Sequence, residues 1–296
     1  MSKLLTPDQV EKYRSDGFVY PVDVMAADEA RRYLGELEAA EQLQGKLLVK
    51  GSNFKPHLLF KWADELAHHQ KILDAVEDLI GPDIRLLSST VFPKRPGDGA
   101  FVGWHQDGTY FALQPDDLQV AAWVALSDAP IESGCMEMVT GSHLLGQLSH
   151  AEASAEKHML SLGQTVNAPF ATEHTEFMAL KAGQISLHHT HAIHRSGPNT
   201  TSFRRVGVTL TFVPAHVAVR ATVKPSAALV RGTDRWHYFQ DEPRPQVDYG
   251  EKEREFQQYA NSLFRAVYDE ERPRYRQTTT KTTAPAVMAA PGKNHG

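Results

Sequence analysis

His105-Gln106-Asp107, with His194 following Asp107 by 87 residues, is the feature of this 296-residue chain that most narrows what it can fold into. On a β-strand, residues two apart send their side chains to the same face, so His105 and Asp107 can reach one point from a single short segment. The third group then has to come from a facing strand, which a gap of this length permits. Two imidazoles and one carboxylate make the facial triad that holds a divalent iron on one side and leaves the opposite positions open. The chain carries 15 histidines, and His188, His189 and His191 compete with His194 for the place of second imidazole.

The rest of the chain fits a helical start followed by strands. Thr6-Pro7-Asp8-Gln9 reads as a helix opening, with Thr6 as cap, Pro7 in the first turn and Gln9 completing a capping box. Gly17 stops that helix. A second helix is expected over 27–40 and a third over 63–79, where Ile72, Val76 and Leu79 recur at helical spacing before Gly81-Pro82. From Ile84 the pattern changes to short apolar runs broken by turn residues. Strands are expected at 84–92, 102–104, 120–126, 135–139, 176–180, 184–188 and 206–213, a pattern that predicts a sandwich or barrel. A loop-rich stretch over 225–245 leads to an amphipathic helix over 251–270, with Phe256, Tyr259, Leu263 and Val267 on one face. That face would cover the barrel or a second subunit, which leaves a homodimer open. Residues 1–275 are read as one domain: a helical part over 1–82, a core over 83–220, and the final helix. The segment 276–296 has little apolar content and is expected to be a disordered tail.

Composition sets the class. With 41% hydrophobic and 23% charged residues the chain can bury a full core. A net charge of −5 gives no electrostatic footprint for nucleic acid. The single cysteine, Cys135, excludes an internal disulfide framework and suits a reducing compartment. No apolar run reaches the length of a membrane span, and the first residues lack the apolar core of a secretory signal. The expectation is a cytoplasmic protein that acts on a small molecule, without membrane or nucleic-acid partners.

Several ordered blocks carry a family resemblance. They are Trp104-His105-Gln106-Asp107-Gly108-Thr109-Tyr110, then Trp123, then Gly134-Cys135-Met136-Glu137 running into Gly141-Ser142-His143. Gly183-Gln184-Ile185-Ser186-Leu187-His188-His189 then leads to His194-Arg195-Ser196-Gly197-Pro198-Asn199, and the opening from Leu5 to Val19 also matches. Through these blocks, over about residues 4 to 245, the chain resembles the phytanoyl-CoA dioxygenase family of Fe(II)/2-oxoglutarate oxygenases. Arg195 departs from the family, where glycine is commoner, and is expected to alter the pocket rim.

The resemblance implies a mainly β, α+β chain with a double-stranded β-helix (jelly-roll, cupin-like) core. It implies Fe(II), 2-oxoglutarate and O2 as cofactors, with His105, Asp107 and His194 as metal ligands and catalytic centre. The Ser-Gly-Pro-Asn turn after His194, and its spacing to Arg204, are what favour His194 over its rivals. Arg204 is expected to anchor the far carboxylate of 2-oxoglutarate through its planar donor fork. Neighbours on a strand face opposite ways, so only one of Arg204 and Arg205 can point inward, and Phe203-Arg204 matches the family's pattern better. Ser196, Trp123 and Lys94 join it as co-substrate contacts, although core packing would also account for Trp123. Lys55, His57, Tyr110 and Phe111 are candidates to line the substrate pocket. The implied reaction is hydroxylation of an unactivated C–H bond in an amino acid, amine, phosphonate or secondary metabolite, with release of succinate and CO2. Desaturation, epimerisation and ring formation share the same ligands. A zinc hydrolase would leave Arg204 and Ser196 without a role, and a non-catalytic cupin-like binding protein is the alternative outside enzymes.

Overall fold

The computed structural model describes residues 2–49, 52–152, 157–160 and 164–276. The expected tail therefore lies almost wholly outside the described residues. Helix α1 (Pro7–Asp16) opens as its sequence dictates: Thr6 Oγ1 accepts from Gln9 N, and Gln9 Oε1 accepts from Thr6 N. It closes at Gly17, whose φ of 87° and contact with the His143 ring leave no room for a side chain. Helix α2 (Ala27–Gln44) runs one turn beyond the expected end, to Gly45. The single helix expected over 63–79 is instead two, α3 (Lys61–Ala67) and α4 (Gln70–Ile80). His69 takes an extended conformation between them. The break lets α3 bury Trp62 and Leu66 while α4 lays Ile72, Leu73 and Val76 on the sheet by a different route.

Eleven strands build two sheets. They are β1 (Phe18–Asp23), β2 (Ile84–Lys94), β3 (Val102–His105), β4 (Val120–Ala125), β5 (Met136–Val139), β6 (Thr175–Met178), β7 (Gln184–His189), β8 (His194–Ser196), β9 (Arg205–Pro214), β10 (Ser226–Arg231) and β11 (Gln240–Asp241). The larger sheet has the order β1-β7-β4-β9-β2-β10-β11, and the smaller β3-β8-β5-β6. The core thus extends past residue 220 into β10. It also takes in β1 from the part expected to be helical. Pro21 hides that strand from a periodicity reading, and β1 tolerates it as the edge strand of its sheet.

Alternation along the strands gives the large sheet two different faces. Val206, Val208, Leu210 and Phe212 of β9, with Ile185 and Leu187 of β7 and Val120, Ala122 and Val124 of β4, pack under α1 to α4. The opposite face meets the small sheet through Trp123 and Ala125 against Cys135, and through Phe18 against Met138 and Met178. This is a jelly-roll sandwich with helices on its outer side, as expected. Helix α5 (Glu251–Arg276) is longer than the predicted 251–270. It packs on the chain's own loops: Phe264 on Phe54 and Phe111, and Tyr268 on Tyr110. Tyr259, assigned to its apolar face, is instead exposed and bonds Gln240. Among the described residues no helix is long and apolar enough to cross a membrane.

Candidate active site

His105 ends β3, and its cross-strand partner on β8 is His194, so the two rings meet with centroids 4.0 Å apart. Asp107 lies just past the strand in a 3-10 turn, Asp107–Tyr110, and not on the strand itself. Its Oδ1 is still 3.5 Å from His105 Nε2 and 4.0 Å from His194 Nε2. The buried amide of Gln106 fixes this turn: Nε2 donates to Gly146 and His191 carbonyls, and Oε1 accepts from Leu148 N and Gln147 Nε2. Nothing in the sequence pattern singled Gln106 out.

The protonation states suit a metal. His105 Nδ1 lies 3.0 Å from Gly103 O and 3.1 Å from His194 O, while His194 Nδ1 lies 3.0 Å from Ala192 O. Backbone carbonyls can only accept, so each Nδ1 carries the hydrogen and each Nε2 keeps its lone pair for the centre. Burial, with His105 adding to it, holds His194 well below the usual imidazole range. Burial alone would raise Asp107, but the adjoining imidazoles of His105 and His188 outweigh it and hold the carboxyl well below its usual range. Two Nε2 atoms turned to one point beside an ionised carboxylate make a donor set that suits Fe(II). Among the described residues, His105, Asp107 and His194 form the one group of such side chains whose ligand atoms all lie within 4.8 Å of one another.

The triad opens into a cavity of about 60 Å³. Besides the three ligands it is lined by His188, Arg195, Ser196, Arg205, Trp123, Thr209 and a set of apolar side chains. Arg205 is 2% exposed and faces inward in phase with Gly207 and Thr209. Its Nη atoms donate to Phe92 O (3.2 Å) and Gly134 O (3.1 Å), and its Nε has no partner among the described residues. Lys94, directly across from it on β2, is fully buried, with Nζ on Ser196 Oγ at 2.6 Å and on the Gly134 and Gly197 carbonyls. Burial, with repulsion from Arg205 behind it, pushes the Lys94 ammonium down to about 6. Burial likewise brings Arg205 down to about 10. A buried guanidinium beside a buried amine, neither with a carboxylate partner among the described residues, and an orphaned guanidinium nitrogen make a seat for a ligand carboxylate. Trp123 lies flat across Gly207, where a Cβ would meet its ring at 1.9 Å, and Arg205 stands over the indole at 5.2 Å.

Other expected site residues lie elsewhere. Arg204 is turned to the helical side and forms a two-bond pair with Glu41 of α2, at 2.8 and 2.6 Å. The parity argument holds, but it selects Arg205, because Val206, Val208 and Leu210 commit the even positions to the helix-covered face. Lys55 and His57 are buried away from the triad, in a cluster closed by Glu242. His57 Nε2 is 2.8 Å from Glu242 Oε2, Ser226 Oγ donates to Oε1 at 2.7 Å, and Lys55 Nζ pairs with the same oxygen. Burial would raise the Glu242 carboxyl, but the Lys55 charge and the His57 hydrogen bond bring it to about 2. Tyr110 and Phe111 pack on α5 and are not among the residues lining the cavity. Arg195, by contrast, is at the cavity as expected: it lines the rim, its guanidinium 4.4 Å over Trp104 and its Nε 2.7 Å from Glu137. Cys135 is a buried thiol that burial pushes up to about 11.

The Lys55 cluster is a tie between the 3-10 turn at Pro56–Leu58 and the segment around β11, and its test is stability. Glu242→Ala leaves a buried lysine unpaired, so it should cost about 3–5 kcal/mol in chemical denaturation. Glu242's contribution is full above the usual carboxylate range and falls away as pH drops towards about 2.

With this geometry in hand, similarity to known proteins decides the family. The profile of the phytanoyl-CoA dioxygenase (PhyH) family matches residues 13–207. The chain belongs to that family. It is 33% identical over 162 residues to a probable alpha-ketoglutarate-dependent hypophosphite dioxygenase of Stutzerimonas stutzeri, covering 54% of this chain and 55% of the relative. A phytanoyl-CoA dioxygenase domain-containing protein 1 of Danio rerio is covered to 50%. The chain thus spans about half the length of these curated relatives. Among solved structures, the apo non-heme monooxygenase ThoJ superposes with a TM-score of 0.79 at 32% identity, covering 90% of this chain and 100% of that one. The non-heme alpha ketoglutarate dependent epimerase SnoN gives 0.59 at 25% identity, covering 83% and 93%.

Proposed function

We propose that the chain is an Fe(II)- and 2-oxoglutarate-dependent dioxygenase that hydroxylates an unactivated C–H bond of a small molecule, with succinate and CO2 as co-products. The observation that carries this reading is that the His105–Asp107–His194 triad and the unpaired Arg205 and Lys94 line or border one cavity. Iron at the triad, with 2-oxoglutarate bound, supplies the oxidising chemistry: activation of O2 coupled to decarboxylation. His105, Asp107 and His194 hold the metal from one side. Arg205, Lys94 and Ser196 receive the far carboxylate of 2-oxoglutarate, and the Trp123 indole walls the seat. Phe92, Val102, Met136, Met159 and Leu160 supply an apolar lining that excludes water and suits a C–H bond rather than a charged group at the reacting position.

Of the substrate classes named above, the hypophosphite dioxygenase relative supports a phosphonate-like compound, and ThoJ's description as a monooxygenase supports hydroxylation. Epimerisation is the second reading, favoured by the similarity to SnoN. A zinc hydrolase would leave the buried Arg205 guanidinium and Lys94 amine with nothing to bind. The test is turnover of 2-oxoglutarate by the iron-loaded protein with a panel of amino acids, amines and phosphonates under labelled O2. Hydroxylation places one labelled oxygen in the product and one in succinate; epimerisation labels succinate alone. No stimulation of turnover by any panel member would remove this choice of substrate classes.

Lys94 adds a pH dependence. With its pKa near 6 in the ligand-free pocket, the amine is mostly neutral at pH 7.5, and a bound carboxylate restores the ammonium. Binding should therefore take up a proton, and affinity should fall as pH rises above 6 by at most about tenfold per unit. Calorimetry in two buffers of different ionisation heat reads this directly; zero uptake at pH 7.5 would contradict it.

A further inference from the structure

His188 is a fourth imidazole at the centre, and the proposed metal reading gives it no role. It projects from β7 into the sandwich, across from Ala121 and two residues from Ser186, which faces Trp123. The residue is 1% exposed, and its ring lies 4.7 Å from that of His194. Its Nε2 is 3.2 Å from Asp107 Oδ2, whereas His105 and His194 are nearest to Oδ1. The two oxygens of Asp107 are thus divided between two tasks. His188 falls outside the group whose ligand atoms converge. A carboxylate only accepts here, so His188 Nε2 carries the hydrogen; its Nδ1 is buried and has no hydrogen-bond partner among the described residues.

We propose that His188 is a positioning residue that holds Asp107 as a one-oxygen ligand, a role that rests on the metal centre proposed above. A carboxylate free to turn can present both oxygens to a metal and occupy a position that the open face needs. A hydrogen bond to Oδ2 removes that freedom and keeps Oδ1 directed at the metal position. The bond also orders Asp107 before metal arrives, because the residue sits in a 3-10 turn rather than in the firmer ladder of β3.

Two variants separate donation from packing. His188→Phe keeps a ring and removes the donor; His188→Gln returns an N–H near the position of Nε2. The readouts are the anaerobic Fe(II) dissociation constant, the charge-transfer absorption of the Fe(II)–2-oxoglutarate complex, and the melting temperature of the metal-free protein. His188→Phe should weaken Fe(II) binding about 10–100-fold and shift the absorption, with the metal-free melting temperature kept. His188→Gln should recover most of both. Wild-type affinity in both variants overturns the positioning role, as does equal loss in both with a lowered melting temperature, which marks packing. Three coordinated imidazoles on the wild-type metal by electron spin-echo spectroscopy would make His188 a ligand and overturn the proposal as well. Absence of Fe(II) binding by the wild type would instead sink the underlying metal reading, so the two failures are distinct.

Discussion

Arg205→Ala is expected to weaken 2-oxoglutarate binding by about two to three orders of magnitude, the usual cost of truncating one partner of a buried charge pair. Arg204→Ala should leave that affinity within about threefold, since it touches no carboxylate seat. The contrast follows from one step along β9. Arg205 stands over Trp123 with an orphaned Nε, while Arg204 spends both terminal nitrogens on Glu41. Arg204→Ala acts on stability instead: it strands a nearly buried Glu41 and should cost about 1–3 kcal/mol. Affinity and denaturation measured on the same pair of variants give two opposite orderings. If Arg204→Ala lost the co-substrate and Arg205→Ala kept it, the assigned seat would be wrong.

The second large effect concerns the metal. His194→Ala and Asp107→Ala should each lower Fe(II) affinity by more than the about 100-fold upper range of an outer-shell partner, and turnover should fall with it. Removing Asp107 takes away the carboxylate that, alone among the described residues, faces His105 and His194. Removing His194 takes away an Nε2 that the Ala192 carbonyl, bonded at Nδ1, keeps bare. Equilibrium dialysis against Fe(II) under anaerobic conditions checks both. Retention of stoichiometric, tight iron by either variant would show that the ion sits elsewhere.

Much of this was legible from local chemistry. The capping box of α1, the short strands from Ile84 onward and the H-x-D spacing all report forces between near neighbours. What escaped depended on context. Pro21 masked β1 because only an edge strand can hold it. His68 and His69 carry no helix-breaking signal, so the joint between α3 and α4 was invisible. Both faces of β9 are covered, so hydrophobicity did not give its phase at a glance. The signal was there in Gly207, Thr209 and Thr211, small or polar residues in step with Arg205, against a fully aliphatic and aromatic even series. Lys55 and His57 looked like solvent- or substrate-facing groups because their counter-charge, Glu242, lies 185 residues beyond His57. No periodicity links such distant partners.

The measurement that tests the metal and co-substrate assignment most directly is an anaerobic titration of the Fe(II)-loaded wild type with 2-oxoglutarate, followed by visible absorption. A charge-transfer band should grow and saturate at one equivalent. It should be absent without iron, absent in His194→Ala, and displaced to far higher 2-oxoglutarate concentration in Arg205→Ala. A fully metallated wild type that shows no band at any 2-oxoglutarate concentration would contradict the dioxygenase reading.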